Sequence, residues 1–160
     1  YKFLPVIAKD IDKNNIIMAK RGHYEISDMD LWTLDYYTKG QYRDFFRLEP
    51  SHNYEIYSKS FAFAPNENLR KCVNFEQGDI FEDIENMPSK NTVLFCKNFW
   101  PYLTPEKREI LVQKLSAHFD KSCVVITGDY DSGKSNVEEL LIKYGFREHI
   151  LIKNMWEKIK

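Results

Sequence analysis

The chain has 160 residues, 43% of them apolar and 15% aromatic, enough to bury one core and too apolar for a disordered segment. Its 23 basic and 24 acidic residues leave a formal net charge of -1, which provides no global field for nucleic acid or an anionic membrane surface. No apolar stretch approaches the ~20 residues of a membrane span, and the start Tyr1-Lys2-Phe3-Leu4-Pro5 is too short in its apolar part for a signal peptide. No nucleic-acid partner and no membrane insertion are therefore expected. Cys72, Cys96 and Cys123 are odd in number and form no Cys-x-x-Cys pair. His23, His52, His118 and His149 lack paired-ligand spacing, so no metal site is expected. Cys96 and Cys123 lie in apolar runs, as buried reduced thiols do, which points to a reducing, cytoplasmic compartment.

Phe3 to Ala8 predicts a strand that stops at Asp10. Asp12 can cap a helix from Lys13 to Lys20, with Ile16, Ile17 and Ala19 toward the core and Gly22 placed to close it. Ser27-Asp28-Met29-Asp30 opens a second helix, in which Leu31, Leu34 and Tyr37 recur at helical spacing and which Gly40 ends. The aromatic stretch Tyr42 to Leu48 reads equally as strand or helix. Asn53 to Ser60 alternates like an exposed hairpin strand, and Pro65-Asn66-Glu67-Asn68 reads as a turn or helix start. Short strands follow at Cys72 to Gln77 and Thr92 to Cys96.

Thr104-Pro105-Glu106 starts a helix with a hydroxyl cap, a first-turn proline and an acid, and Ile110, Leu111, Leu115 and Phe119 supply its apolar face. Ser122 to Thr127 is β-branched and apolar throughout, as a buried parallel strand is. Ser135 and Glu138 have capping-box spacing ahead of Val137, Leu140, Leu141 and Tyr144, and Gly145 closes that helix. Phe146 to Ile152 and Met155 to Ile159 read as two final strands joined through Lys153-Asn154. The alternation of strand and helix predicts an α/β fold with a mainly parallel sheet covered by helices on both faces.

Three of these strands end on a polar residue, and open α/β sheets bind ligands beyond the carboxyl ends of their strands. Asp10 could accept from both hydroxyls of a ribose. Asp79 could accept from an adenine amino group, with Ile80 against the purine face. Asn98 offers both a donor and an acceptor, and Phe99 and Trp100 add stacking surface. An Asp after a strand is also an ordinary turn former or helix cap. Asn98 is harder to explain that way, because no helix begins beside it.

These residues carry a family resemblance. Asp10-Ile11-Asp12, a helix, then Gly22-His23-Tyr24 resembles the second strand and following helix of the chemotaxis-receptor (CheR-type) methyltransferases. Leu69-Arg70 through Val73-Asn74-Phe75 is similar to that family's segment before its third strand. Cys96-Lys97-Asn98-Phe99 with Tyr102-Leu103 resembles its Cys-Arg-Asn-Val and aromatic pair. The likeness runs over nearly the whole chain. It implies a Rossmann-like methyltransferase sheet, mostly parallel with a C-terminal antiparallel strand pair and a small inserted subdomain, using S-adenosylmethionine. It also implies a bacterial enzyme of chemotaxis that methylates glutamate carboxylates of a chemoreceptor-like protein. By the family pattern Asp10 holds the ribose, Asp79 and Ile80 face the adenine, Asn98 and Phe99 line the methionine side, Tyr102 sits near the transferring methyl, and Lys97 meets the substrate.

The sequence departs from that pattern in places. The family's glycine-rich loop has no counterpart after Tyr1, so the chain reads as a single partial methyltransferase domain over residues 1–160, lacking its first strand and helix, with an insert at about 40–65. In the family's strand order the missing strand would neighbour the one ending at Asp10, so an upstream segment or a partner chain is expected to complete the sheet. Lys97 stands for an Arg, Phe99 for a Val, and Gly128-Asp129-Tyr130-Asp131 for Gly-His-Ser-Glu. Two alternatives follow. One is a catalytically inactive methyltransferase fold kept for interactions; separately from it, the aromatic insert Tyr36 to Phe63 reads as a protein-docking surface or as a covering for the core. The other is P-loop nucleotide binding at Gly128 to Ser135, which matches GxxxxGK[ST] between a strand and a helix. Asp129 and Asp131 oppose it by placing negative charge where phosphate would sit.

Overall fold

The computed structural model of the chain describes residues 6–50 and 60–159. They fall into two compact units, Tyr1–Asp79 and Ile80–Lys160. In the first unit, strand β1 (Val6–Asp10) runs parallel to β5 (Val73–Gln77), with Asp10 opposite Gln77 at their carboxyl ends. Helix α1 (Lys13–Arg21) follows β1. The Asp12 carboxylate accepts from Asn14 N at 2.7 Å at its start. Gly22 at φ 68° ends it, its N–H donating to the Met18 and Ala19 carbonyls. Ile16 is buried as expected, whereas Ile17 is 41% exposed. Adjacent helical positions diverge by about 100°, so the two isoleucines cannot both face the same side.

A small antiparallel sheet makes up the rest of this unit, in the order β2 (Tyr24–Ser27), β4 (Ser60–Pro65), β3 (Phe46–Pro50). The predicted strand at Asn53 to Ser60 lies outside the described residues up to 59, as do Phe3 to Pro5. Between β2 and β3, Ser27 caps helix α2 (Asp28–Thr38) by accepting from Asp30 N. Leu31 and Leu34 are half-buried, but Tyr37 is 78% exposed and meets Tyr36 edge-on instead of a core. The ambiguous stretch after Gly40 resolves into a 3-10 turn over Gln41–Asp44 and strand β3. Buried Tyr42 and the stacked pair Phe46–Phe63, at 4.2 Å, hold it together. Asn66 caps the short helix α3 (Glu67–Arg70).

The second unit opens with α4 (Ile80–Asp83) and holds a four-stranded sheet in the order β6 (Val93–Phe95), β7 (Val124–Ile126), β9 (Met155–Lys158), β8 (Phe146–Glu148). Strands β6 and β7 are parallel, and β9 runs antiparallel to both β7 and β8. Helix α5 (Pro105–His118), capped by Thr104, crosses from β6 to β7 and buries Leu111, Val112 and Leu115. Each such side chain stabilises by roughly 1.5–3 kcal/mol. Ile110, predicted on that face, is half-exposed, one position off the buried stripe.

Helix α7 (Val137–Lys143) buries Val137, Leu140 and Leu141. The predicted capping box at its start does not form, because Asn136 takes the cap position. The Ser135 hydroxyl instead donates to the Asp131 carbonyl at 2.7 Å, closing helix α6 (Asp129–Lys134), a helix the sequence had not suggested. Strand β8 is shorter than predicted. Ile150 to Ile152 lie exposed in the connection to β9, where Asn154 turns at φ 62°. Cys96 and Cys123 are both buried, within the core cluster built around Trp100, Leu111, Phe146 and Trp156.

Candidate functional site

The candidate residues sit at the carboxyl ends of the two parallel strand pairs, where the loops of an open α/β sheet meet ligands. In the first unit Asp10 ends β1 half-buried. One carboxylate oxygen accepts from Asp12 N at 2.8 Å and the other from Asn15 Nδ2 at 3.2 Å. The Asp10 carbonyl accepts from Gly78 N at 3.0 Å, so Asp79 follows directly on the turn that closes the β1–β5 pair. Asp10 and Asp79 thus emerge from neighbouring strand ends. The turn-forming role of Asp10 is visible, yet a carboxylate offers about four acceptor sites and two of them remain for a ligand.

In the second unit Ile80 is half-buried in the first turn of α4 and packs on the core cluster. Lys97, Asn98 and Phe99 form the exit from β6. Lys97 and Asn98 are exposed, and Phe99 is half-buried. Asn98 adopts φ 62°, a left-handed turn that Asn tolerates better than most residues. A 3-10 turn, Trp100–Tyr102, follows and leaves Tyr102 78% exposed. Trp100, expected to offer stacking surface, does not: it is fully buried and its indole N–H donates to the Cys96 carbonyl at 2.9 Å. A large ring with one polar handle packs well in a core once that handle is paired. Arg108 on α5 secures the same turn, its Nε donating to the Trp100 carbonyl at 2.9 Å.

The end of β7 brings in residues that sequence reasoning did not count as part of the site. Asp131 is fully buried, and its Oδ2 accepts from both Asn98 N at 2.8 Å and Gly128 N at 2.7 Å. In the sequence this segment stands out for its mismatch with the family's Gly-His-Ser-Glu and for its likeness to a phosphate loop, neither of which points to Asp131 as a partner of Asn98. Burial, and next the charge of Asp131, push the Cys96 thiol up to about 12. At the exposed start of α6, Asp129 accepts from Lys153 Nζ at 2.8 Å and Asn154 Nδ2 at 2.9 Å. The Lys153 hydrogen bond, then that of Asn154, hold its carboxyl below the usual range. The P-loop reading gains no support from this arrangement. Residues 129–134 are a helix rather than an open phosphate-cradling loop, and the Gly128 N–H is already taken by Asp131.

Each unit separately offers polar groups at its strand ends of a kind that a nucleoside-bearing ligand can use. In the first unit Asp10 keeps spare carboxylate acceptors; in the second, Asn98 presents an exposed amide and Phe99 a half-buried ring beside the exposed Lys97. Among the described residues no helix is long and apolar enough to cross a membrane. Comparison with curated proteins gives no match. Residues 1–147 match the family model described as CheR methyltransferase, SAM binding domain. With that match over most of its length, the chain belongs to the CheR methyltransferase family, whose members are S-adenosylmethionine-dependent methyltransferases acting on proteins.

Proposed function

We propose that the protein transfers a methyl group from S-adenosylmethionine to a carboxylate side chain of a protein, with a chemoreceptor-like protein of bacterial chemotaxis as the substrate and the cytoplasm as its place of action. The observation that supports this best is the left-handed turn at Asn98, which leaves an exposed amide beyond the carboxyl end of β6. In this reading Asp10 accepts from the ribose hydroxyls, Asp79 and Ile80 meet the adenine, and Asn98 and Phe99 border the methionine side. Tyr102 stands by the transferring methyl, and Lys97 draws in the acidic acceptor. The cofactor supplies an activated methyl on a sulfonium. A carboxylate acceptor is already a nucleophile, so the protein's part is alignment and exclusion of water rather than proton transfer. The chain acts as part of one methyltransferase domain, with the insert at about 40–65 as a subdomain for recognising the protein substrate. A further strand, from elsewhere in the protein or from a partner, covers the open side of β1.

The test is calorimetric titration of the full natural protein with S-adenosylhomocysteine, followed by methyl transfer from labelled cofactor to receptor protein. Base-labile label is expected, as for a carboxyl methyl ester. Full natural protein that does not bind S-adenosylhomocysteine would sink the reading. Given binding, Asp10→Ala is expected to weaken it by roughly 1–3 kcal/mol, the range for leaving ligand donors without their acceptor. An unchanged affinity in the same titration would remove Asp10 from the site.

A further inference from the structure

Asp131 lies fully buried with no Lys or Arg paired to it among the described residues. Burying a carboxylate without a counter-ion is costly, and such a group persists where strong hydrogen bonds to it organise the surrounding backbone. Its Oδ2 takes two N–H donors from two different turns, Asn98 after β6 and Gly128 after β7, while Oδ1 is buried without a partner. The two donors are 30 residues apart in sequence, so the carboxylate both closes the first turn of α6, through Gly128, and ties that turn to the end of β6, through Asn98. The tie is tight on the Gly128 side as well. A Cβ added to Gly128 would stand 2.6 Å from Asn98 Oδ1, so the absence of a side chain there makes room for the Asn98 amide. Gly128 has φ -102° and ψ 159°, an extended conformation open to any residue, and only this close approach calls for glycine.

We infer that Asp131 is a positioning residue for the cofactor site: by holding the Asn98 and Gly128 N–H groups on one oxygen it sets the left-handed turn at Asn98, and so aims the Asn98 amide at the cofactor. The inference rests on the proposed reading of Asn98 as a cofactor contact. Both N–H groups share a single oxygen, so an amide oxygen in the same place can replace it. Asp131→Asn keeps the acceptor and puts its NH2 where Oδ1 has no partner, whereas Asp131→Ala removes the acceptor altogether. The turn, rather than the negative charge, is therefore what the cofactor feels.

The experiment measures S-adenosylhomocysteine affinity by calorimetry on the full natural protein. It also follows the Asn98 backbone amide by 15N nuclear magnetic resonance. Asp131→Ala is expected to lower affinity about tenfold or more. It should also move the Asn98 amide proton upfield as it loses a charged acceptor. Asp131→Asn restores affinity to within about threefold of wild type, a difference smaller than one hydrogen bond is worth. Gly128→Ala keeps the Asp131 carboxylate but crowds both its Oδ2, at 3.1 Å, and the Asn98 amide, at 2.6 Å, so it too lowers affinity, which keeps the inference testable should Asp131→Ala fail to fold. Thr104→Ala, which removes the α5 cap, serves as a control that lowers thermal stability without changing affinity. Affinity that falls in Asn98→Ala but is unchanged in Asp131→Ala and Gly128→Ala would overturn the positioning role while leaving the proposed function intact. Wild-type protein that does not bind the ligand would overturn both.

Discussion

A thiol buried beside a carboxylate is harder to ionise than one in water, and Cys96 is in that position. Burial first, and the Asp131 charge second, move it from 9.0 to about 12. The consequence for stability has a definite sign. Between these values the unfolded chain has released the proton and the folded chain keeps it, so the unfolded state binds fewer protons. Stability then falls as pH rises, by up to about 1.4 kcal/mol per pH unit for this one group. Below pH 9 the contribution is fully present. Urea unfolding at pH 8, 9 and 10 should show wild type losing stability more steeply than Cys96→Ala above pH 9, and equal slopes would contradict the buried, protonated thiol. Asp10, Asp79 and Asn98 were legible as residues near strand ends because each stands within a few positions of a short apolar run, and the end of a run is a local property. Asp131 was not, since its partner Asn98 is 33 positions away and its immediate string resembles a phosphate loop. Trp100 was misread for a related reason. An aromatic beside a polar turn looks like ligand surface until the carbonyl that satisfies its N–H is known.

At the scale of elements, the ends of the helices were better specified than their faces. Caps are chosen by side chains within three or four positions, so Asp12, Ser27, Thr104 and Gly22 could be read directly. Faces depend on what lies opposite, and Ile17, Tyr37 and Ile110 were assigned inward from spacing alone although all three face solvent. Strand β2 was missed because four residues carry almost no period-2 signal. Gly22 gives a direct test of the cap argument. At φ 68° an L side chain is strained, and a Cβ there would also stand 3.3 Å from Arg70 Nε. Gly22→Ala is expected to destabilise the chain by about 1–2 kcal/mol, and Gly22→Asn by less, since Asn tolerates the left-handed region. Denaturant unfolding followed by circular dichroism separates the two variants, and equal losses would mean that steric crowding by Arg70, not backbone conformation, sets the cost.

Across the whole molecule, apolar burial is uneven. The continuous core cluster belongs entirely to Ile80–Lys160, whereas the described buried apolar residues of Tyr1–Asp79 are Ile16, Tyr42 and Ala64. Strand β1 has a strand neighbour on one side only among the described residues, and Ile7 on it is 54% exposed. Strand β6 likewise ends its sheet, with Phe95 67% exposed. A two-stranded parallel pair is marginal by itself, and an open, flat, apolar edge is a template for pairing with another chain. The 160-residue chain by itself is therefore expected to self-associate. Sedimentation velocity at tens of micromolar should show oligomers, with bound hydrophobic dye reporting the uncovered faces. Ile7→Lys places a charge on the β1 edge and should shift the distribution toward monomer without unfolding the second unit, because its core contains no β1 residue. A monodisperse monomer that binds no dye and unfolds in one cooperative transition would show that the edge needs no cover. It would also remove the reason for proposing a further strand against β1. Oligomers insensitive to Ile7→Lys would instead move the association away from β1, leaving the exposed edge of β6 as the next place to introduce a charge.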